Sequence, residues 1–318
     1  MCVNVYEIQE HIDDHTWLDA RINCLHEHIE TGIRSNTTAV ESIQLLNTIM
    51  PYALTRTDYR RWEPLLLDAL LHAMDLKDEE SQIQIWAHLG SSYLQSGRVR
   101  TAAEAFRKSL ARITQDATPE TKLLARIGML RAQAVTQASD IQQFIEETLT
   151  EARCVVNYHL RGRLHFAVGM IYTHMGQTQQ ALGHAQIALA CWHQLHNSKE
   201  FERSALLLTE ACRIAMCYQQ AARYQELVHP GTEDLYKQAV YHYQRGAILL
   251  EQDQLRAAGS EFQRALANYQ MLDFPYLTGA TYHALGLVQT KLNDFKGARD
   301  SLRYALTIWQ EMENQFQQ

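Results

Sequence analysis

Proline is scarce in this chain, with five residues among 318, and no low-complexity tract occurs. No stretch therefore reads as a long disordered linker. Runs of roughly 18 continuous apolar residues, the length that crosses a bilayer, are missing. The opening MCVNVYEIQEHIDDH turns acidic before a signal-peptide core can develop. The six cysteines have no paired spacing, which argues against a disulfide framework and points to reduced thiols in a soluble cytoplasmic protein. Basic residues are not in excess: the formal net charge is −7, so a general nucleic-acid coat, which needs a basic face, is excluded. No G-x-x-x-x-G-K-[ST] phosphate loop is found, nor an HExxH or CxxC metal pair. Spacing also assembles no Ser-His-Asp or Cys-His set, so nothing supports an enzyme, a cofactor or a membrane partner.

Three stretches among the fifteen histidines invite a metal reading: His11 with His15, Cys24-Leu-His26-Glu-His28, and Cys191-Trp-His193-Gln-Leu-His196. His11 and His15 could share a helical face at i and i+4, but no ligand set is complete, and packing between helices is the simpler role.

What is present is a repeating pattern. Apolar residues make up 46% of the chain and charged residues 20%, as in a folded protein. In WAHLGSSYLQSGRVRTAAEAF, Trp86, Leu89, Gly90 and Tyr93 fall at i, i+3, i+4 and i+7, one helical face. Ala102 and Phe106 mark the inner face of a second helix, antiparallel to the first across a Ser96-Gly97 turn in which Gly97 can take a positive φ. Gly90 and Ala102 are small where the helices cross, and Phe106 and Tyr93 fill the space beside the crossing. A small residue followed by another twelve positions later recurs at Gly169 with Ala181, Gly246 with Ala258, and Gly286 with Ala298. Weaker units fit the same frame around Met50, Gly128 and Leu208, so the anchors stand at 50, 90, 128, 169, 208, 246 and 286. That near-constant period covers the chain from about residue 36 onward.

The pattern Trp-x2-Leu-Gly-x2-Tyr followed by Ala-x3-Phe resembles the tetratricopeptide repeat. The spacing of 38 to 41 residues exceeds the usual length of about 34. It is similar to the long repeats of bacterial signal-responsive regulators of the maltose-activator and antibiotic-regulator type, and of kinesin light chain. The resemblance implies an all-α fold, an α-solenoid of antiparallel helix pairs coiled as a right-handed superhelix. Residues 1–35 are expected to form an acidic helical cap or linker, a helix or helix pair broken near residues 13 to 16. Residues 36–318 then form the array of about seven repeats. Trp309 and Phe316, near the end of the last helix, either pack on the preceding pair or await another cover.

In the family the first helix of each repeat lines a groove, and that implication selects candidate partner-binding residues. They are Lys122, Arg126, Met129 and Gln133 in one unit and Arg163, Phe166, Met170 and His174 in the next. Thr209 and Arg213 follow, then Tyr243, Gln244, His283 and Lys291. Four cations around Phe166, Met129 and Met170 suit a segment with acidic and apolar side chains, or form a mixed solvated surface. The chaperone-binding members grip a carboxylate with an Asn just after the small anchor. Here Ser91, Met129, Met170, Thr209, Ala247 and Leu287 stand in that place, which speaks against such a clamp. An acidic block at residues 1 to 30 and a basic block at 98 to 131 could steer partners or the chain's own segments together. Two functions are expected: a non-catalytic scaffold binding a protein or peptide segment in the groove, or the ligand- or peptide-sensing portion of a signalling or transcription regulator.

Overall fold

The computed structural model describes all residues except 1–4, 12–14, 36, 57–58, 97, 137–139, 230–234, 273 and 317–318. Among the described residues there are α-helices, one 3-10 turn and no strand. Three short helices come first: α1 (Val5–Glu10), α2 (His15–Asp19) and α3 (Ile22–Ile33). Helix pairs follow as α4 (Ala39–Arg56) with α5 (Tyr59–Asp75), α6 (Glu79–Gln95) with α7 (Val99–Leu110), and α8 (Pro119–Thr136) with α9 (Ile141–Glu151). After a 3-10 turn at Ala152–Cys154 come α10 (Tyr158–His174), α11 (Thr178–Gln194), α12 (Ser198–Ile214) and α13 (Tyr218–Gln225). The last four are α14 (Leu235–Glu251), α15 (Leu255–Met271), α16 (Pro275–Lys291) and α17 (Phe295–Phe316). The chain divides into two compact units, Met1–Val168 with Gln194–Asn197, and Gly169–His193 with Ser198–Gln318. No described helix is long and apolar enough to cross a membrane.

Each of the seven anchors falls in the first helix of a pair, and for the glycines the reason is visible in the first unit. A Cβ on Gly90 would lie 2.6 Å from Cε1 of Phe106, and one on Gly128 would lie 2.1 Å from the same atom. The ring of α7 thus lies against the backbones of α6 and α8 together, and only glycine leaves room for it. Below this ring the core continues through Trp62 and Leu66 of α5 and Leu46 of α4 to Ile29 and Ile8, all fully buried. The N-terminal residues therefore supply core: three helical segments stand where one or two helices were expected, and their apolar side chains are continuous with the repeats. The expected break near residues 13 to 16 falls partly on residues 12–14, which lie outside the described residues; α2 begins at His15.

Polar contacts fix the same neighbours. Ser109 of α7 donates to the Ile83 carbonyl of α6 at 2.7 Å. Glu80 in the first turn of α6 accepts hydrogen bonds from the hydroxyls of Thr118 (2.7 Å) and Thr121 (2.5 Å) at the start of α8.

The second unit repeats the rule with different side chains. A Cβ on Gly246 would lie 2.9 Å from the Phe262 ring, and one on Gly286 would lie 2.7 Å from Leu302. Ala258 and Phe262 of α15 are thus the counterparts of Ala102 and Phe106. At Gly169 the nearest backbone is Ala185 N, 3.3 Å from the Cβ position, so α10 and α11 approach almost main chain to main chain over Ala181 and Ala185. Trp309 of α17 packs on Gly279 of α16, its Nε1 2.6 Å from the Cβ position there; the Phe316 side chain lies outside the described residues. Between α12 and α14, Glu202 and Lys237 form an ion pair with both side chains about nine-tenths buried.

Within most pairs the first helix ends the same way. At Gly176, Met216, Asp253 and Asn293 the backbone takes a positive φ between 58° and 70°. The following residue's N–H then bonds back to a carbonyl five residues earlier, as in Gln177 to Tyr172 (2.9 Å) and Asp294 to Gln289 (2.9 Å). This is the Schellman arrangement, which satisfies the last carbonyls of a helix. Gly97, the residue expected to take this conformation after α6, lies outside the described residues. Arg98, which follows it, does bond back to Tyr93 at 2.9 Å.

Candidate functional site

In the first unit, α4, α6 and α8 pack in succession. Asn47 of α4 and His88 of α6 meet there, and the charge of Arg163 from α10 reaches the imidazole. His88 is 2% exposed. Burial first, and the Arg163 guanidinium second, hold the imidazole neutral and lower its pKa to about 3, against a smaller opposing effect of the Asn47 carbonyl. Nε2 of His88 and both side-chain atoms of Asn47 are buried and make no hydrogen bond within the protein. Unsatisfied buried polar groups are uncommon, at a typical cost of about 1–3 kcal/mol each. A carboxamide offers a donor and an acceptor, so its free polar atoms suit a hydrogen-bonding group rather than an apolar one.

The residues selected from sequence fall in both units. In the first, Lys122 donates to the Gln115 carbonyl at 3.2 Å. Arg126 turns toward α9, with Nη2 2.6 Å from Glu151, Nη1 3.8 Å from Glu147 and the guanidinium 5.2 Å from the Phe144 ring centre. Met129 packs half-buried against the core, and Gln133, Arg163 and Phe166 are half-buried too.

In the second unit Met170 and His174 are exposed. Arg213 is held by both carboxylate oxygens of Glu210, at 2.6 and 3.0 Å, and these bonds raise its pKa above the usual value. Tyr243 lies within reach of that pair, and burial raises its hydroxyl pKa. Thr209 and Gln244 are buried and bonded to the Ala205 and Leu206 carbonyls at 2.9 and 3.1 Å. His283 is exposed, and Lys291 lies 3.5 Å from Asp253.

Asn47 and His88 were not among the residues selected. The signal was there: they stand three residues before Met50 and two before Gly90, offsets already used at the later anchors. Of the histidines considered for metal, the His15 side chain lies outside the described residues, and His11, His26 and His193 have ring contacts. His11 stacks on Trp17 at 4.6 Å between centroids, and His26 meets Trp62 edge-on at 4.8 Å. Among the described residues no three His, Cys, Asp or Glu side chains converge.

A family model described as Tetratricopeptide repeat matches residues 83–115, which run from α6 through α7. The fold is similar to the apo form of RapI, with a TM-score of 0.57 at 11% identity over 84% of this chain and 76% of that one. It is also similar to the STAND protein PH0952 of Pyrococcus horikoshii, a signal transduction ATPase with a tetratricopeptide repeat sensor. There the TM-score is 0.62 at 13% identity over 98% of this chain, which spans 48% of that one. No curated protein matches the sequence. Residues 83–115 thus carry a tetratricopeptide repeat, set in a chain of successive helix pairs whose fold is similar to these structures.

Proposed function

We propose that this protein is a non-catalytic binding protein whose first helices receive a protein or peptide segment carrying acidic and apolar side chains. The observation that carries the reading is the buried, unsatisfied Asn47 carboxamide and His88 imidazole beside the Arg163 charge. Phe166, Met129 and Gln133 supply apolar and polar surface on the neighbouring helices, and Met170, His174 and Arg213 are the corresponding candidates in the second unit. The cationic ends of Lys122, Arg126 and Arg213 already meet the Gln115 carbonyl, the Glu147 and Glu151 carboxylates and Glu210, so an acidic partner would compete with these contacts. Such a segment would present a carboxylate to the half-buried Arg163 and would meet the covered Asn47 carboxamide by entering between the first helices.

Selection from a random peptide display library against the full chain tests this. Enriched sequences should pair acidic with apolar residues, and Arg163→Glu should weaken their binding at least tenfold with the helical circular dichroism unchanged. Affinity should also fall as salt rises, because charges at an open surface are screened over about 8–10 Å. Peptides without acidic enrichment, or bound equally by Arg163→Glu, would overturn the reading. A second reading, the sensing portion of a regulator, draws support from the likeness to PH0952, whose title describes a repeat sensor in a larger signalling ATPase. It differs in requiring an effector whose output changes when the peptide binds.

A further inference from the structure

The turn that closes α12 places two cysteines of one helix end side by side. Met216 takes the left-handed conformation, with φ 58°. Its N–H bonds to the Arg213 carbonyl at 3.0 Å, and the Cys217 N–H bonds to the Cys212 carbonyl at 2.8 Å. In this motif the side chains five residues apart, here Cys212 and Cys217, are the pair that habitually touch. The equivalent turn after α6 shows that contact directly: Arg98 lies with its guanidinium 4.5 Å from the centre of the Tyr93 ring.

The main-chain bond also limits the distance between the two α-carbons. Cα to carbonyl oxygen spans about 2.4 Å and N to Cα about 1.5 Å from standard bond lengths. With 2.8 Å between oxygen and nitrogen, the α-carbons can stand no more than about 6.7 Å apart. Disulfides bridge α-carbons roughly 4.4–6.8 Å apart. Both thiols are free; Cys217 is exposed, and Cys212 is buried among Ala221, Ile248, Leu182 and Tyr224.

We propose that Cys212 and Cys217 form a reversible dithiol–disulfide site that reacts with low-molecular-weight disulfides of the glutathione class. The exposed Cys217, as thiolate, attacks one sulfur of the reagent RSSR, forming a mixed disulfide and expelling RS⁻. Cys212 then gives up its proton and attacks the Cys217 sulfur, expelling the second RS⁻. The two cysteine thiols are oxidised, and one RSSR is reduced to two RSH. The order follows from access, since only Cys217 meets solvent. Burial, and then the neighbouring Cys217, push the Cys212 thiol up to about 11, so Cys212 is the slower nucleophile and depends on the turn to hold it against its target. Cys217 stands near enough for its charge to act on Cys212.

The test uses the full chain equilibrated in glutathione buffers from fully reduced to fully oxidised, then alkylated and digested with trypsin. Cleavage after Arg213 separates the cysteines into SALLLTEACR and IAMCYQQAAR, so the bond appears as a linked pair two hydrogens lighter than the sum. The linked pair should be the main oxidised form of this segment in folded monomer and absent from Cys217→Ser. Its fraction at a given buffer ratio should fall severalfold when the chain is unfolded in urea. A glutathione adduct on Cys217 without the linked pair, a Cys217–Cys217 dimer, or no oxidation of either cysteine would overturn the proposal. An equal linked fraction in urea would show that the turn does not hold the pair.

Discussion

Replacing Gly128 by alanine sets two opposed effects against each other, and the packing around Phe106 decides between them. On an isolated helix the change would stabilise by about 1 kcal/mol, because alanine loses less backbone entropy than glycine on forming a helix. Here the new methyl carbon would lie 2.1 Å from Cε1 and 2.4 Å from Cδ1 of Phe106. Ordinary carbon contacts lie at about 3.5–4.0 Å, so the ring must retreat by roughly 1.5 Å. It has nowhere to go, since even a Cβ on Gly90 would sit 2.6 Å from that ring. Overpacking costs about 1–3 kcal/mol. Taking the upper end and subtracting the propensity gain leaves a net loss of about 2 kcal/mol. Phe106→Leu removes the obstructing ring edge, so in that background Gly128→Ala should be neutral or stabilising. Urea unfolding followed by helical circular dichroism measures both, as changes in midpoint at constant slope. Stabilisation of the parent by Gly128→Ala, or the same change in both backgrounds, would refute the shared-ring packing.

Met216→Gly should stabilise by about 0.5–1 kcal/mol, because the left-handed backbone there strains any residue with a Cβ; a lower melting temperature would count against that turn. His88 ties stability to pH. Its imidazole protonates near 6.5 when unfolded but only at about 3 when folded, so its contribution is complete above pH 6.5 and is lost as pH falls from 6.5 towards 3. The loss is roughly 1.4 kcal/mol per pH unit; a pH series of denaturation curves should be shallower by that slope in His88→Gln, and parallel curves would contradict the buried neutral ring. Lys237→Met should cost about 3 kcal/mol by taking the ammonium from Glu202 and leaving it only the exposed His229, while pairing it with Glu202→Leu should recover most of the loss. A double variant as unstable as the single one, measured in the same urea assay, would mean that the ion pair is not what the site needs.

The helix pairs were legible because their cause is local and periodic. Gly90, Ala102 and Phe106 announce a crossing at fixed spacing, and the Gly246, Ala258, Phe262 set repeats it. The weakest anchors, Met50 and Leu208, were placed by a degenerate match to the frame together with the period, and both are fully buried. What could not be read depends on residues far apart or on backbone conformation. Nothing near Arg126 in sequence says that its guanidinium turns to Glu151. The Arg213–Glu210 pair, by contrast, lies at i and i+3 and could have been foreseen. Met216 in a left-handed conformation has no side-chain signature, whereas Gly176 in the equivalent turn does. The burial of His88 follows from how closely α4 and α6 pack, which no single helix encodes.

The hydroxyl contacts of Glu80 have a consequence for how the chain is made. The first turn of α8 has orphan amides, and Glu80 accepts from the Thr118 amide at 3.4 Å as well as from the two hydroxyls. A carboxylate from the preceding repeat therefore anchors the helix that comes after it, and negative charge at a helix start is favourable in itself. Synthesis delivers α6 before α8, so the anchoring group is in place when the new helix leaves the ribosome. At this junction growth of the array has a direction built into it, from the amino end onward, and α8 need not nucleate alone.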